Sequence, residues 1–170
     1  NAIEAIEKYR GVVATKNEIV AIFDEEGTWV AASIAEELAN NGFQIHLLSP
    51  TASLFSQITI YSRLALIPRL KKLGVKFHLA SEITLNDGEP VIKSSINDEV
   101  VDISDALLII DCPPKRSNDL LYQDAPLTQS EEVLLIGDAL APRTIAEATF
   151  EGNAVGAFLD LDLALRSLEH

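Results

Sequence analysis

The sequence predicts an α/β protein with a Rossmann-like three-layer fold, a central parallel sheet and an inserted antiparallel meander. Three observations support this prediction. Residues 19–23 (IVAIF) form a short run that is apolar on both faces, as central strands of parallel sheets are. Residues 30–39 place apolar side chains along a single stripe at helical spacing, which is typical of a helix packed on a sheet. Residues 83–103 hold short apolar runs around an Asn-Asp-Gly turn, which indicates antiparallel strands.

The elements follow from the same patterns in chain order. A short helix over 3–9 is stopped by Gly11, a strand covers 19–23, a helix covers 27–41 with Gly42 after it, and a strand covers 43–48. A helix over about 59–73 repeats Ile60, Leu64, Ile67 and Leu70 or Lys71 at helical spacing, and Pro68 must kink it or split it. A strand covers 75–78.

The second half begins with the meander, for which strands are predicted at 83–85, 90–93 and 100–103. A buried strand follows at 106–110. Residues 115–132 are polar and loop-rich, with one short helix near 117–123. Residues 133–136 then read as a strand, followed by a Gly-Asp turn and a helix whose first turn holds Pro142. Gly152 and Gly156 in that last helix suggest close packing along one face, for which ordinary helix–sheet packing is at least as good an explanation as contact with a ligand.

Length and composition limit the function classes. A chain of 170 residues with 48% apolar and 6% aromatic residues fits one α/β domain spanning residues 1–170. No apolar run is long enough for a membrane span and no leader opens the chain, so we expect a cytoplasmic protein. The net charge of −13 argues against nucleic acid as a partner. Residues 1–2 and 168–170 resemble remnants of cloning and of a purification tag.

Side chains that could bear chemistry elsewhere are few. Cys112 is the single cysteine, so a disulfide within the chain and a cysteine-held metal cluster are both excluded. We interpret Cys112 as a structural thiol and His46 and His78 as buried or edge histidines of apolar strands. No metal site is predicted.

The turn at Gly137-Asp138 has the strongest functional signal. Gly137 would let the backbone approach a ligand closely, and Asp138 would offer acceptors to a sugar hydroxyl or another donor, at the sheet edge where α/β proteins hold phosphates and flavins. An ordinary strand-to-helix turn with an Asp cap is the alternative.

Residues 134–158 (LLIGDALAPRTIAEATFEGNAVGAF) closely resemble the end of the trimethylamine dehydrogenase and 2,4-dienoyl-CoA reductase group within the NADH:flavin oxidoreductase family. The resemblance covers roughly residues 12–160. It implies a C-terminal nucleotide-binding domain of a larger flavoenzyme, with FMN and an iron–sulfur cluster in the missing N-terminal part. FAD or ADP would bind in the full-length protein, and no cofactor is expected on this chain alone. By resemblance, Asp138 would face a ribityl or ribose hydroxyl, and the amides around Thr144 and Ile145 would face the ligand.

The nicotinamide fingerprint, by contrast, is degenerate. The three glycine positions of the first strand–helix turn fall on Glu26, Thr28 and Ala31, of which only Ala31 is tolerable. Asp24, Glu25 and Glu26 also place carboxylates where a diphosphate would bind. Each pair of unit charges at ~5 Å costs about 3 kcal/mol at an effective dielectric constant of ~20. This pattern resembles the trimethylamine dehydrogenase branch, which also lacks the glycines.

Two functions remain open at this point. The first is an oxidoreductase domain with a degenerate NAD(P) site and a partial FAD or ADP motif, inactive alone and packed on the remainder of the parent polypeptide. The second is a non-catalytic scaffold for subunit assembly or for docking an electron-transfer protein. Because the last strand and helix lack their usual neighbours, we expect them to expose an apolar face and to form a homodimer, or the strand to join the chain's own sheet.

Overall fold

Strand β1 (Ile19–Asp24) is the element on which the fold is built. Its Val20 and Ile22 lie in one buried cluster and its Ala21 lies in a second cluster on the opposite face of the strand. Both faces of β1 are therefore covered, as its continuous apolar run predicts. The structure is a computed structural model that describes residues 2–16, 18–124 and 133–168, with side chains described as far as Leu159.

The helices are α1 (Ala2–Tyr9), α2 (Trp29–Asn40), α3 (Ile60–Lys72), α4 (Leu120–Gln123) and α5 (Ile145–Leu168). The remaining strands are β2 (Gln44–Leu48), β3 (Lys76–His78), β4 (Ser81–Asn86), β5 (Glu89–Ser94), β6 (Val100–Asp102) and β7 (Ala106–Cys112). The chain divides into two compact units, Asn1–Pro114 and Lys115–His170, and each is described separately below. The single domain spanning the chain stays a prediction.

The first unit has three layers. Four parallel strands form a sheet in the order β3-β2-β1-β7, and β4, β5 and β6 form a separate antiparallel sheet. One face of the parallel sheet packs against helical residues such as Ile34 of α2 and Leu70 of α3. The other face packs Leu48 against Ile92 of β5 and Ile103 after β6. The predicted Rossmann-like fold with an inserted meander is confirmed.

The turns of this unit follow from local sequence. Asp87 and Gly88 have φ of 52° and 92°, as the two central residues of a type I′ hairpin must. Gly42 has φ of 90° and ends α2, where its amide donates to the carbonyl of Ala39. Both positions were predicted as turns from the glycines alone.

Two predictions in this unit concern α3 and β7. Of the two outcomes predicted for Pro68, a kink or a split, the split does not occur, because α3 runs through the proline. The proline is exposed, so water can satisfy the backbone carbonyl that it leaves without an amide donor. The strand at 106–110 is not wholly buried, because β7 lies at the sheet edge and exposes alternate side chains, Leu107 and Ile109.

The second unit differs more from expectation. Residues 133–136 form no strand; Ile136 is extended, with φ of −140° and ψ of 166°, but it belongs to no ladder. Gly137–Ala139 form a 3-10 turn, and α5 begins only at Ile145, so Pro142 precedes the helix and does not lie in its first turn. The reason is a capping interaction at Thr144, given below.

The close packing expected at Gly152 and Gly156 stays a prediction; among the described atoms, a Cβ atom at either position would meet none within 4 Å. Among the described side chains of α5, Ile145, Phe150 and Phe158 are exposed. Residues 125–132, part of the predicted loop 115–132, lie outside the described residues, as do residues 1, 169 and 170 of the excluded ends.

Candidate functional site

The turn between β1 and α2 lies at the position where open α/β sheets usually hold a ligand. It leaves the carboxyl end of β1, and β1 has β2 on one side and β7 on the other, which is a topological switch point. Residues 24–28 (DEEGT) form the turn. The question is whether its backbone amides are available to a phosphate.

The amide of Gly27 is not available. It donates to Asp24 Oδ1 at 2.8 Å, a bond that is buried. The carbonyl of Gly27 accepts from the amide of Gln57 at 3.0 Å. A Cβ atom on Gly27 would lie 2.6 Å from Ser56 Oγ and 2.8 Å from the Ser56 amide nitrogen. The segment after β2 therefore lies directly on the turn.

The N-terminus of α2 is capped from within the chain. Thr28 is the N-cap residue, and its hydroxyl oxygen accepts a long hydrogen bond of 3.5 Å from the amide of Val30. The same hydroxyl donates to Glu26 Oε2 at 2.9 Å. Ala31, the third glycine position, is fully buried, as close helix–strand packing at that position requires. The structure thus places Glu26 and Thr28 in one turn with Asp24, and Ala31 in the first turn of α2.

Asp24 is the residue whose role the sequence did not reveal. It is only 1% exposed, and its Oδ2 has no hydrogen-bond partner among the described atoms. Burial raises the pKa of Asp24, an effect that the Gly27 amide opposes and the nearby charge of Glu26 reinforces. The spacing Asp-x-x-Gly was the available signal, because an Asp at a strand end can fold back on an amide three residues later.

The end of β2 is the place where a dinucleotide-binding protein usually has an acidic residue for the ribose. Ser49 follows β2 and is buried; its Oγ lies 3.1 Å from Thr51 Oγ1 and accepts from the Thr51 amide at 3.3 Å. No carboxylate occurs there, as the sequence indicated. The first strand–helix turn thus carries carboxylates, its Gly27 amide is bonded to Asp24, and the segment at Ser56 covers its glycine.

Cys112 lies beside the same turn at the end of β7. Its carbonyl accepts from the amide of Glu25 at 3.3 Å, and its thiol is buried. Burial, assisted by the charges of Asp24, Asp111 and Glu26, raises the pKa of Cys112 to about 12. A thiol with so high a pKa is a poor nucleophile at neutral pH, which agrees with a structural thiol.

In the second unit, the Gly137 turn is also closed by its own side chains. The Gly137 amide donates to Glu151 Oε2 at 2.7 Å, and Gly137 has φ of 62°. The amide of Arg143 donates to Asp138 Oδ1 at 3.4 Å, while the Arg143 guanidinium forms an ion pair with Glu151. The pKa of Glu151 is lowered, first by the Gly137 amide and then by Arg143.

The start of α5 has the pattern of a capping box. The Thr144 amide donates to Glu147 Oε2 at 3.1 Å, and Thr144 Oγ1 accepts from the amide of Ala146 at 3.2 Å. The Thr144 hydroxyl also donates to Glu147, which lowers the pKa of that carboxyl. The amide of Thr144, one of those predicted to face a nucleotide, thus donates to a side chain of the chain itself. The ligand roles of Gly137, Asp138, Thr144 and Ile145 stay predictions.

The two described histidines contact each other. His46 on β2 is buried, and its ring stacks on that of His78 on β3, with Nδ1 of His46 3.1 Å from Nε2 of His78. Lys76 Nζ lies 3.4 Å from His46 Nε2. A lysine ammonium can only donate, so His46 Nε2 accepts and its proton sits on Nδ1, which donates to His78. Burial first, then Lys76 and His78, lower the pKa of His46 to about 4.

Within the described ranges, 2–16, 18–124 and 133–168, no cluster of three or more His, Cys, Asp or Glu residues could hold a metal ion. In the same part of the chain, no helix has the length and apolar character needed to cross a membrane.

Solved structures provide the external comparison. The chain superposes on histamine dehydrogenase from Rhizobium sp. 4-9 with a TM-score of 0.72 and 24% identity, over 91% of this chain and 25% of that one. It matches 6-hydroxypseudooxynicotine amine oxidase from Pseudomonas geniculata N1 with a TM-score of 0.73 and 19% identity, over 90% and 23% of the two chains. For 2-naphthoyl-CoA reductase in complex with 2-naphthoyl-CoA, the TM-score is 0.67 at 22% identity, over 88% and 22%. No protein-family model and no curated protein matches the sequence.

The chain has the fold of one domain of these enzymes. It spans about a quarter of the length of each, and by their names all three are oxidoreductases. The sequence resemblance to the trimethylamine dehydrogenase group is thereby supported at the level of structure. At identities of 19–24%, these matches establish the fold only. They do not establish which ligand the chain binds.

Proposed function

We propose that this chain is the dinucleotide-fold domain of a larger amine-dehydrogenase-like or NADH:flavin-oxidoreductase-like flavoenzyme, and that its nicotinamide-binding turn has become structural. The observation that supports this is the closed β1–α2 turn, in which the Gly27 amide bonds to Asp24 and Ser56 covers the glycine. Chemistry would lie in the rest of the parent protein, and the chain alone would be inactive.

The negative charges of the turn also oppose the binding of a dinucleotide. Asp24 is buried and bonded to the Gly27 amide, so the carboxylates that oppose a diphosphate most directly are those of Glu25, which is exposed, and Glu26, which is half-buried. A repulsion of about 3 kcal/mol per charge pair weakens binding by about two orders of magnitude. The N-terminal end of α2 offers only about half a positive charge in compensation.

The test is calorimetric titration of the 170-residue protein with NADH, NADPH, ADP and FAD, with thermal shift as a second measurement. We expect no binding of NADH or NADPH in the micromolar range. Micromolar binding of either dinucleotide to the unaltered protein would refute the closed turn.

A gain of binding sharpens this test. The double variant Glu26→Gly, Thr28→Gly restores two glycine positions and should bring NADH binding into a measurable range. Glu37→Gln is the matched control for charge, because Glu37 is exposed on α2, away from the turn. Equal NADH affinity in the double variant and the control would show that residues 26 and 28 are not the cause of the lost NADH binding.

We further propose that Gly137 and Asp138 belong to an ADP or FAD site that is complete only in the full-length protein. The Asp138 carboxylate receives a single long bond from the Arg143 amide, so it retains acceptor capacity for a ribose or ribityl hydroxyl. Binding of ADP alone to this chain, abolished by Asp138→Ala, would place a nucleotide at this turn. Binding of ADP that survives Asp138→Ala would exclude it.

The second candidate function is a scaffold for subunit assembly or for docking an electron-transfer partner. It is favoured by a groove beside α3 in which large apolar side chains lie exposed. No heat with any of the four nucleotides would favour this reading over a nucleotide-binding one.

A further inference from the structure

Charge is distributed unevenly along this acidic chain. Residues 38–81 contain no Asp or Glu and five of the 13 Lys and Arg residues, although the chain as a whole has a net charge of −13. All five basic residues lie on α3 or β3: Arg63, Arg69, Lys71, Lys72 and Lys76. Arg69 is paired with Glu36 of α2, and the other four residues leave an excess of positive charge on this part of the first unit.

An apolar groove of about 370 Å³ lies on the same part of the unit. Its lining includes Ile60, Leu64 and Ile67 of α3 and Leu79 after β3. Leu64 is 67% exposed and Ile60 is 52% exposed, whereas Leu66 on the buried side of α3 is 1% exposed. Ile60 and Leu64, one helical turn apart on α3, thus face outward, while Ile67 is partly buried against the core.

The groove is bordered by positive charge. Arg63 lines it and is held there by hydrogen bonds from Nη1 to Ser53 Oγ at 3.0 Å and to the Leu54 carbonyl at 3.3 Å. Lys71 lies four residues after Ile67 and seven after Leu64, so helical spacing places it on the same face. An occupant should therefore combine an apolar side chain with nearby carboxylates.

The meander of the first unit carries this combination. Residues 82–105 contain seven Asp or Glu residues, all exposed, and a single Lys. At the β4–β5 hairpin tip, Leu85 is 73% exposed, and Asp87 and Glu89 follow it. The hairpin is fixed on the parallel sheet through Ile83 and Ile92, so its tip presents a convex apolar knob with acidic neighbours.

We propose that the α3 groove is a docking site for the β4–β5 hairpin tip of a second copy of this chain, with Leu85 in the groove and its carboxylates facing Arg63 and Lys71. In a two-fold dimer each copy supplies one groove and one tip, so the contact is made twice. The groove at Leu79 and the hairpin tip of one copy are about 20 Å apart, the length of the six-residue strand β4. This separation leaves room for the two-fold axis to pass between the two groove–tip contacts. A concave groove suits a side chain better than a membrane surface, which needs a protruding apolar face.

The experiment is sedimentation velocity of the 170-residue protein over a range of concentrations, at low and high salt. We expect a reversible dimer that weakens as salt rises. Leu64→Asp and Leu85→Asp should each raise the dimer Kd at least about tenfold, the effect of losing one well-packed interface side chain. Val13→Asp is the matched control, since Val13 is also 67% exposed and lies on neither surface.

A charge exchange tests the pairing itself. Lys71→Glu and Asp87→Lys should each weaken the dimer, and the double variant should recover affinity relative to either single change. Lys16→Glu controls for the change in net charge. A monomer at every concentration, or a dimer indifferent to Leu64→Asp and Leu85→Asp, would overturn the proposal; in the latter case the dimer forms through another surface, such as the last helix.

Discussion

Replacing Gly27 by Ala tests whether the β1–α2 turn is as closed as the structure indicates. Two costs are expected. Gly27 has φ of 75°, where an L-residue loses about 1–2 kcal/mol. The new Cβ would also meet Ser56 Oγ at 2.6 Å and the Ser56 backbone nitrogen at 2.8 Å. Because the backbone atom cannot rotate away, the whole segment must shift.

The contact cost can be separated from the conformational cost. Overpacking of this kind costs about 1–3 kcal/mol, and loss of the 3.0 Å bond from the Gln57 amide to the Gly27 carbonyl adds about 1 kcal/mol. We therefore expect Gly27→Ala to destabilise the first unit by about 3 kcal/mol or more. Gly74→Ala is the control: Gly74 has φ of 83°, but its Cβ would meet nothing within 4 Å. The stability lost in Gly74→Ala should therefore stay at about 1–2 kcal/mol.

Urea unfolding followed by Trp29 fluorescence provides the measurement. Trp29 is the single tryptophan and is the first residue of α2, so its signal reports on the unit that contains the turn. Adding Ser56→Gly to Gly27→Ala should recover only part of the loss, because the Ser56 nitrogen remains. Equal losses for Gly27→Ala and Gly74→Ala would refute the closed turn.

Two further predictions concern buried titratable groups. The folded pKa of His46, about 4, lies below its ordinary value of 6.5, so stability is present above pH 6.5 and is lost as pH falls toward 4. His46→Phe should make the fall in urea midpoint between pH 7 and pH 5 shallower, and an unchanged slope would count against the buried neutral imidazole. Cys112, with a pKa of about 12, should react slowly with iodoacetamide at pH 8 and rapidly after denaturation; rapid labelling of the native protein would contradict its burial.

The fold was predictable because its signals are local. The two-sided apolar run of β1 and the Asn-Asp-Gly hairpin each require only a few neighbouring residues to be recognised. Residues 133–136 show the limit of such signals. Their apolar run matches a strand, but a strand also requires a ladder partner, which no local pattern supplies.

The turn at Asp24 shows a second limit. The missing glycines and the carboxylates at residues 24–26 indicated a degenerate dinucleotide site from sequence alone. The segment that closes the site could not be inferred, because Ser56 contacts Gly27 only after β2 has crossed beside β1. Asp24 likewise reads as a repulsive acid in sequence, and only its burial and its bond to Gly27 make it structural.

Helix α3 shows a third limit of sequence patterns, and it also carries the proposed interface. Its apolar residues occupy a wider arc than the sheet can cover, so the periodicity identifies a helix without identifying its buried side. Leu66 and Leu70 are buried, Ile67 is partly buried against the same core, and Ile60 and Leu64 remain exposed. Exposure to water does not explain why these outward-facing positions are aliphatic, because polar residues there would leave the buried side of α3 unchanged. A surface stripe that keeps apolar side chains between basic ones is better explained by a partner that covers it, and the acidic hairpin tip is the surface of this chain that matches it.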